Sequence, residues 1–221
     1  MSLTLSGGPG RVRISGGGSG NATPPQIFDG IVAPPSVSTL TWFNQGNATA
    51  SDGQGILNVS IPSGQPGNAR RILGVAIPAT PYTLDIGFTW SSSTTVYPVF
   101  GMGAYEQSTG KVLEWDLYWN GSVFETQFSR LVWNAPSGQP YSDTAASSRM
   151  SAITCFLRMV DDGTNISVYW SNDNVNWTQF DTARSRTDYM ASGPSHIGLC
   201  FDAVVNSGAS FTARVFHWKM H

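Results

Sequence analysis

The chain has 221 residues, of which 12% are charged and 12% aromatic, and its formal net charge is −2. That charge density is about half the usual ~25%, which excludes a chain kept unfolded by its own charge, and the lack of any Lys/Arg cluster excludes a nucleic-acid or anionic-membrane footprint. No apolar run approaches the ~18–20 residues that cross a bilayer, and Met1–Gly7 has neither the cationic nor the apolar region of a secretory leader.

In chain order, residues 1–35 differ from the rest. Leu3-Thr4-Leu5-Ser6 and Arg11-Val12-Arg13-Ile14-Ser15 alternate like two short strands around Gly7-Gly8-Pro9-Gly10. Gly16-Gly17-Gly18-Ser19-Gly20 and Pro24-Pro25 follow, a flexible spacer running into a stiffer one. An isolated two-stranded hairpin is marginal in water, so this arm is expected to lend its strands to a partner, with an unstructured tail as the alternative.

From Ser36 onward the pattern is strand, turn, strand. Strands are expected at Ser38–Asn44, Gly55–Ile61, Arg70–Ala76, Tyr82–Ser91, Thr95–Glu106, Val112–Trp119, Ser122–Val132, Ser151–Val160, Asn165–Ser171, Trp177–Thr182, His196–Phe201 and Ser210–His217. Ser108-Thr109-Gly110, Asn120-Gly121, Asp162-Gly163 and Asn172-Asp173-Asn174 separate them as turns, and Asp143–Ser148 carries a weak helical pattern. The result is an all-β two-sheet sandwich or barrel in one domain, 36–221.

Two hairpins can be written residue by residue. A two-residue turn at Asn120-Gly121 pairs Trp119 with Ser122, Leu117 with Phe124, Trp115 with Thr126 and Leu113 with Phe128, giving one apolar face. The other face carries Glu114, Asp116, Tyr118, Glu125, Gln127 and Ser129 and is expected to meet water. A turn at Asp162-Gly163 sets Met159 against Ile166, Leu157 against Val168 and Cys155 against Trp170.

The polar face poses an electrostatic question, because Asp116 would lie opposite Glu125 with Glu114 two residues along the strand. Like charges directly opposite destabilise a sheet. Water can screen them, a basic side chain can arrive from elsewhere, or the face can hold a cation or sugar hydroxyls. Ca²⁺ is the cofactor to consider, since three carboxylates with Gln127 and Tyr118 could supply part of its oxygen shell. For stacking on sugar, Tyr118, Trp133 and Tyr141 are the candidate aromatics.

The remaining chemistry is sparse. Cys155 and Cys200 lie in strand-like runs and read as buried thiols, with a disulfide as the alternative. His196, His217 and His221 do not cluster, no Ser–His–Asp order is present, and the glycine run lacks the following Lys and helix of a phosphate loop.

Leu157-Arg158-Met159-Val160-Asp161-Asp162-Gly163-Thr164-Asn165-Ile166-Ser167-Val168-Tyr169-Trp170-Ser171-Asn172-Asp173-Asn174-Val175-Asn176-Trp177 resembles the second half of concanavalin A-like lectin/glucanase jelly rolls of the laminin-G type. Ser171, Asp173 and Trp177 match the turn of that family, Asn174 replaces its usual Gly, and His196-Ile197-Gly198-Leu199 resembles its later strand. Leu40–Ala50 and Ile77–Thr83 look like segments of tailed-bacteriophage structural proteins with this fold. The resemblance covers residues 36–221. It implies a two-sheet antiparallel jelly-roll sandwich with an extended N-terminal arm, in a virion surface or tail protein.

Glucanases of this fold carry a Glu-x-Asp-x-x-(x)-Glu strand motif, and Glu114-Trp115-Asp116-Leu117-Tyr118-Trp119-Asn120 resembles it up to its last acid. Retaining hydrolysis needs two carboxyl groups about 5–5.5 Å apart, and the amide of Asn120 cannot act as a general acid. The expectation is therefore a non-enzymatic protein with no catalytic residues, assembled into virions in a bacterial host cytoplasm. Its jelly roll would contact host-surface glycans through Glu114, Asp116, Tyr118, Glu125, Gln127, Trp133 and Tyr141. Residues 1–35 would dock to other virion proteins, and homo-oligomers, trimers among them, are implied by the resemblance. Purely structural capsid decoration or tail linking is the alternative, and a glycan-degrading enzyme a lesser one.

Overall fold

The computed structural model describes residues 6–8, 11–13, 30–64, 69–92, 98–119, 126–136, 149–150, 155–180, 182–203 and 210–221. The chain divides into two units, Met1–Gly30 and Ile31–His221. In the first, β1 (Ser6–Gly8) pairs antiparallel with β2 (Arg11–Arg13), with Gly7 opposite Val12. The second of these strands lies within its expected span, while the first has moved into the glycines.

In the second unit a short 3-10 turn, Val37–Thr39, leads into β3 (Thr41–Phe43), β4 (Thr49–Gly53), β5 (Ile56–Ile61), β6 (Arg71–Ala76), β7 (Tyr82–Ser92), β8 (Val99–Glu106), β9 (Lys111–Trp119) and β10 (Thr126–Trp133). There follow β11 (Arg149–Met150), β12 (Cys155–Asp161), β13 (Asn165–Ser171), β14 (Thr178–Gln179), β15 (Arg184–Ser185), β16 (His196–Asp202) and β17 (Phe211–Met220). One sheet has the order β11-β10-β9-β8-β16-β6-β3, the other β14-β13-β12-β7-β17-β5-β4 with β15 on the side of β13. Every ladder is antiparallel. This is the expected two-sheet antiparallel sandwich. Asp143–Ser148, where the weak helical pattern falls, lies outside the described residues.

The core forms where the inward stripes of the two sheets meet. Leu113, Trp115 and Leu117 of β9, Phe100 and Met102 of β8, and Leu199 and Phe201 of β16 face Leu84, Ile86, Phe88, Leu157, Met159, Phe211 and Val215 across the sandwich. Phe88, Phe100, Phe201 and Phe211 form its aromatic centre, with ring centroids 4.6 Å apart for Phe88–Phe100 and 5.8 Å for Phe100–Phe211. Cys155 belongs to this core and Cys200 to a second cluster on the outer side of its sheet; both are buried free thiols.

Both hairpins keep the expected faces but not the expected register. Thr126 pairs with Trp119 and Arg130 with Trp115, four residues beyond the alignment drawn from a turn at Asn120-Gly121. In the second hairpin Met159 pairs with Val168 and Leu157 with Trp170, two residues beyond. Here the reason is visible: Asp162 precedes the turn, its carboxylate accepting the N–H groups of Thr164 (2.7 Å) and Asn165 (2.6 Å), and Gly163 takes the first central place with φ +92°. That conformation favours glycine. Both shifts are even, so a period of two preserves the apolar face. Asn174 has φ +61°, as expected for the residue replacing the family's glycine.

Gly74, Gly198 and Gly103 lie side by side across β6, β16 and β8. A Cβ on Gly198 would stand 2.4 Å from the Leu73 carbonyl oxygen, and one on Gly74 2.3 Å from that of Ile197. The atoms in the way are backbone and cannot rotate aside. Gly198→Ala is therefore expected to lower the unfolding free energy by about 1–3 kcal/mol, read from the urea midpoint.

The β8–β9 turn is fastened by Glu106, whose carboxylate accepts the Thr109 hydroxyl and the Ser192 N–H (2.7 Å). Burial alone would raise the pKa of Glu106, but these bonds and Lys111 outweigh it and hold the carboxyl below its ordinary value of 4.5. A carboxyl depressed on folding stabilises above its unfolded pKa and loses that contribution as pH falls through the folded one. Stability should therefore decline below about pH 4.5, and Glu106→Gln should flatten that decline in denaturation curves taken across the acid range.

Candidate functional site

The outer face of the β9 sheet carries the polar residues singled out by alternation. Glu114 and Asp116 point away from the sandwich core, because Leu113, Trp115 and Leu117 occupy it. Yet Glu114 is 0% and Asp116 1% exposed, so the expectation of a water-facing surface fails here. Roofing side chains explain the failure. Arg70, immediately before β6, lays its guanidinium over Glu114, donating from Nε to both carboxylate oxygens at 2.9 and 2.7 Å. Trp133, at the end of β10, stacks on that guanidinium, its ring centre 4.4 Å from Cζ.

Asp202, the last residue of β16, completes the arrangement. Its Oδ2 accepts from Arg70 Nη1 (3.1 Å) and the Ala69 N–H (3.0 Å), and its Oδ1 accepts from Arg71 Nη1 (2.9 Å). Cys200 Sγ donates to Glu114 Oε2 at 3.1 Å. Ile72, Val112, Trp133 and Cys200 pack around these groups as a second apolar cluster, with Phe43 and Tyr105 against it. Burial alone would lower the pKa of Arg70, but Glu114 together with Asp202 and Asp116 raises it, so the guanidinium stays charged. Burial, then the Glu114 charge, push the Cys200 thiol well above its usual range, so it stays protonated. Of the three answers to the carboxylate question, the structure contains the second, a basic side chain arriving from elsewhere.

Of the sequence-derived set, the structure brings Glu114 and Trp133 together on the Arg70 guanidinium. Glu114 and Asp116 are buried, and Trp133 is 1% exposed beneath Arg70 rather than free to stack on sugar. Asp116 pairs with Ser129 of β10 and Gly101 of β8, not with Glu125. Tyr118 and Gln127 face each other in the ladder, while Glu125 and Tyr141 lie outside the described residues. Among the described residues no group of three His, Cys, Asp or Glu is placed to hold a metal ion, and Glu125, the third carboxylate of the Ca²⁺ set, lies outside them. Sequence reasoning missed Arg70, Arg71 and Asp202. Their signal was two adjacent arginines heading an apolar strand in a chain with only 12 Lys and Arg.

It also missed the accessible part of this face. Phe43 of β3 reaches over the glycine row to meet Tyr105 of β8, ring centres 4.2 Å apart at 35°, and His196 of β16 at 4.7 Å and 67°. All three are partly exposed. Ser195 Oγ donates to the Tyr105 carbonyl (3.0 Å) and accepts from the Gln107 N–H (2.9 Å). Its single hydrogen is thereby used, so the 3.0 Å contact with His196 Nδ1 is one in which the imidazole donates. The His196 pKa is lowered by burial, so the ring is neutral at pH 7 and its Nε2 is an acceptor. The platform thus combines two apolar ring faces, a phenol and an imidazole acceptor.

The buried cluster makes a direct energetic prediction. Arg70→Met should cost about 3–5 kcal/mol by leaving Glu114 buried without its counter-charge, whereas Arg70→Met with Glu114→Met should cost less than that single change. A double-mutant cycle by urea denaturation checks the sign of the coupling.

No protein-family model matches the sequence, and no curated protein matches it. Solved structures do match in fold. A functionally unknown protein from Saccharomyces cerevisiae superposes with a TM-score of 0.63 at 13% identity, over 85% of this chain and 98% of that one. A bifunctional GH43-CE protein from Bacteroides eggerthii gives 0.61 at 12% identity, over 99% of this chain but only 30% of its own. The CBM2 module of the evolved Dit protein of Lactobacillus casei phage J-1 gives 0.50 at 11% identity, over 81% and 90%. At such identities these likenesses establish the fold alone, a two-sheet antiparallel β-sandwich.

Proposed function

We propose that this chain is a non-catalytic glycan-recognition module of a bacteriophage virion surface or tail. The observation that carries the non-catalytic reading is the Arg70–Glu114 pair. Both oxygens of Glu114 accept from Arg70 Nε, one also from the Cys200 thiol, and the residue has no exposed surface. A general acid or a nucleophile must reach the glycosidic bond, and a retaining enzyme needs a second carboxyl group facing the first. Asp116, its neighbour on the same face, is buried as well.

Glycan contact is supported by the Phe43–Tyr105–His196 platform. Apolar ring faces suit the C–H surface of a sugar, and the imidazole acceptor and phenol suit its hydroxyls. The fold itself is shared by proteins with many functions and does not decide the matter. The phage setting is supported by the sequence resemblance and by the Dit module, whose fold spans most of both chains. In this reading residues 1–35 attach the module to other virion proteins, and several copies act together on the particle.

The test is retention of the purified full chain on an array of cell-wall and capsular polysaccharides. Tyr105→Ala is expected to weaken retention about tenfold or more while changing the unfolding free energy, read from urea denaturation, by about 1 kcal/mol or less. Failure to retain any glycan would overturn glycan recognition. Cleavage of a bound polysaccharide, lost on Glu114→Gln, would overturn the non-catalytic reading.

A further inference from the structure

The outer face of the other sheet carries a polar surface of different chemistry. Core residues Phe211, Ala213 and Val215 alternate along β17 with Thr212 and Arg214, which therefore point outward. The ladders extend each into a row across four strands. Thr49, Ser60, Thr212 and Ser91 form one row, and Ser51, Asn58, Arg214 and Thr89 the next. All eight are exposed or partly exposed.

The hydroxyls pair across the strands, Thr49 Oγ1 with Ser60 Oγ at 2.8 Å and Ser91 Oγ with Thr212 Oγ1 at 2.9 Å. Each pair consumes one O–H, leaving the second hydrogen and further lone pairs to turn outward. Arg214 is the single ionised side chain of the two rows. The guanidinium groups of Arg70, Arg71, Arg158, Arg184 and Arg186 each have a carboxylate within 4.0 Å. Arg214 has no such partner among the described residues. It instead lines a cavity of about 310 Å³ with Thr89, Trp90, Ser91, Thr212 and Ala213, a size within the usual range of small-ligand sites.

We propose that this surface binds an anionic group carried on a polyhydroxylated chain, a carboxylate or phosphate of an acidic polysaccharide. Arg214 grips the anion through its planar fork of N–H donors, and the hydroxyls of Thr89, Ser91 and Thr212 bond to the sugar or polyol hydroxyls beside it. Charge complementarity selects the occupant, since an unpaired guanidinium among neutral hydroxyls has every donor available and no acid of its own to displace. This goes beyond the sugar-stacking reading of the Phe43–Tyr105–His196 platform, which lies on the other sheet, and does not depend on it.

Calorimetric titration of the full chain tests it with three probes: trigalacturonate, a glycerol-phosphate oligomer and, as the neutral control, maltotriose. At least one anionic probe should bind, more weakly as salt is raised, and the carboxylate and phosphate arms separate the two sources of charge. Arg214→Gln should weaken that binding about tenfold or more, Arg214→Lys and Thr212→Ala by less, and Tyr105→Ala not at all. Binding of neither anionic probe, equal binding of maltotriose, an unchanged affinity in Arg214→Gln, or loss in Tyr105→Ala would each overturn the proposal. Because Arg214 is exposed, its variants should keep the parent urea midpoint; should one unfold, Thr212→Ala reads the same surface.

Discussion

The guanidinium of Arg70 is the constraint on which the outer face of the first sheet depends. Glu114 and Asp202 come from β9 and β16, and Arg70 from the approach to β6. Their hydrogen bonds tie three strands of one sheet across the face opposite the core. Taking these charges out of water is costly, and the cost is offset only because each carboxylate oxygen has a donor and the cation lies on the Trp133 ring. Such a cluster favours one arrangement, because a half-formed version would bury an uncompensated charge.

The same cluster divides the face into a closed part and an open one. Both oxygens of Glu114 are taken up by Arg70 Nε and the Cys200 thiol, and the residue is buried. Beyond it, where Gly74, Gly198 and Gly103 carry no side chains, Phe43 lies over the row against Tyr105 and His196. The closed part contributes stability and the open part offers a surface. What a motif such as Glu114-x-Asp116 meets depends on what covers it, and here the Arg70 guanidinium covers Glu114.

Along β9 and β12 the residues were readable as strands because apolar and polar side chains alternate, and alternation also assigned the inward face correctly. Hairpin register was less readable. A period of two is satisfied equally by slips of two or four residues, and the choice fell to local bonds such as those of the Asp162 carboxylate. The strands β4, β11 and β15 were missed, being short or polar, with hydrogen-bonded neighbours rather than apolar stripes to hold them.

Composition, turn residues and alternation were thus enough to specify an all-β sandwich or barrel and much of its inward stripe, since those depend on local period and on the drive to bury apolar surface, while the choice of sandwich came from the family resemblance. Which polar face is buried, which carboxylate receives a cation and which aromatics stay accessible were decided only in three dimensions. Arg70 and Glu114 are 44 residues apart, and Arg70 and Asp202 are 132 apart. No periodicity spans such separations, so the charge pairing exists only after β6, β9 and β16 have taken their places in one sheet.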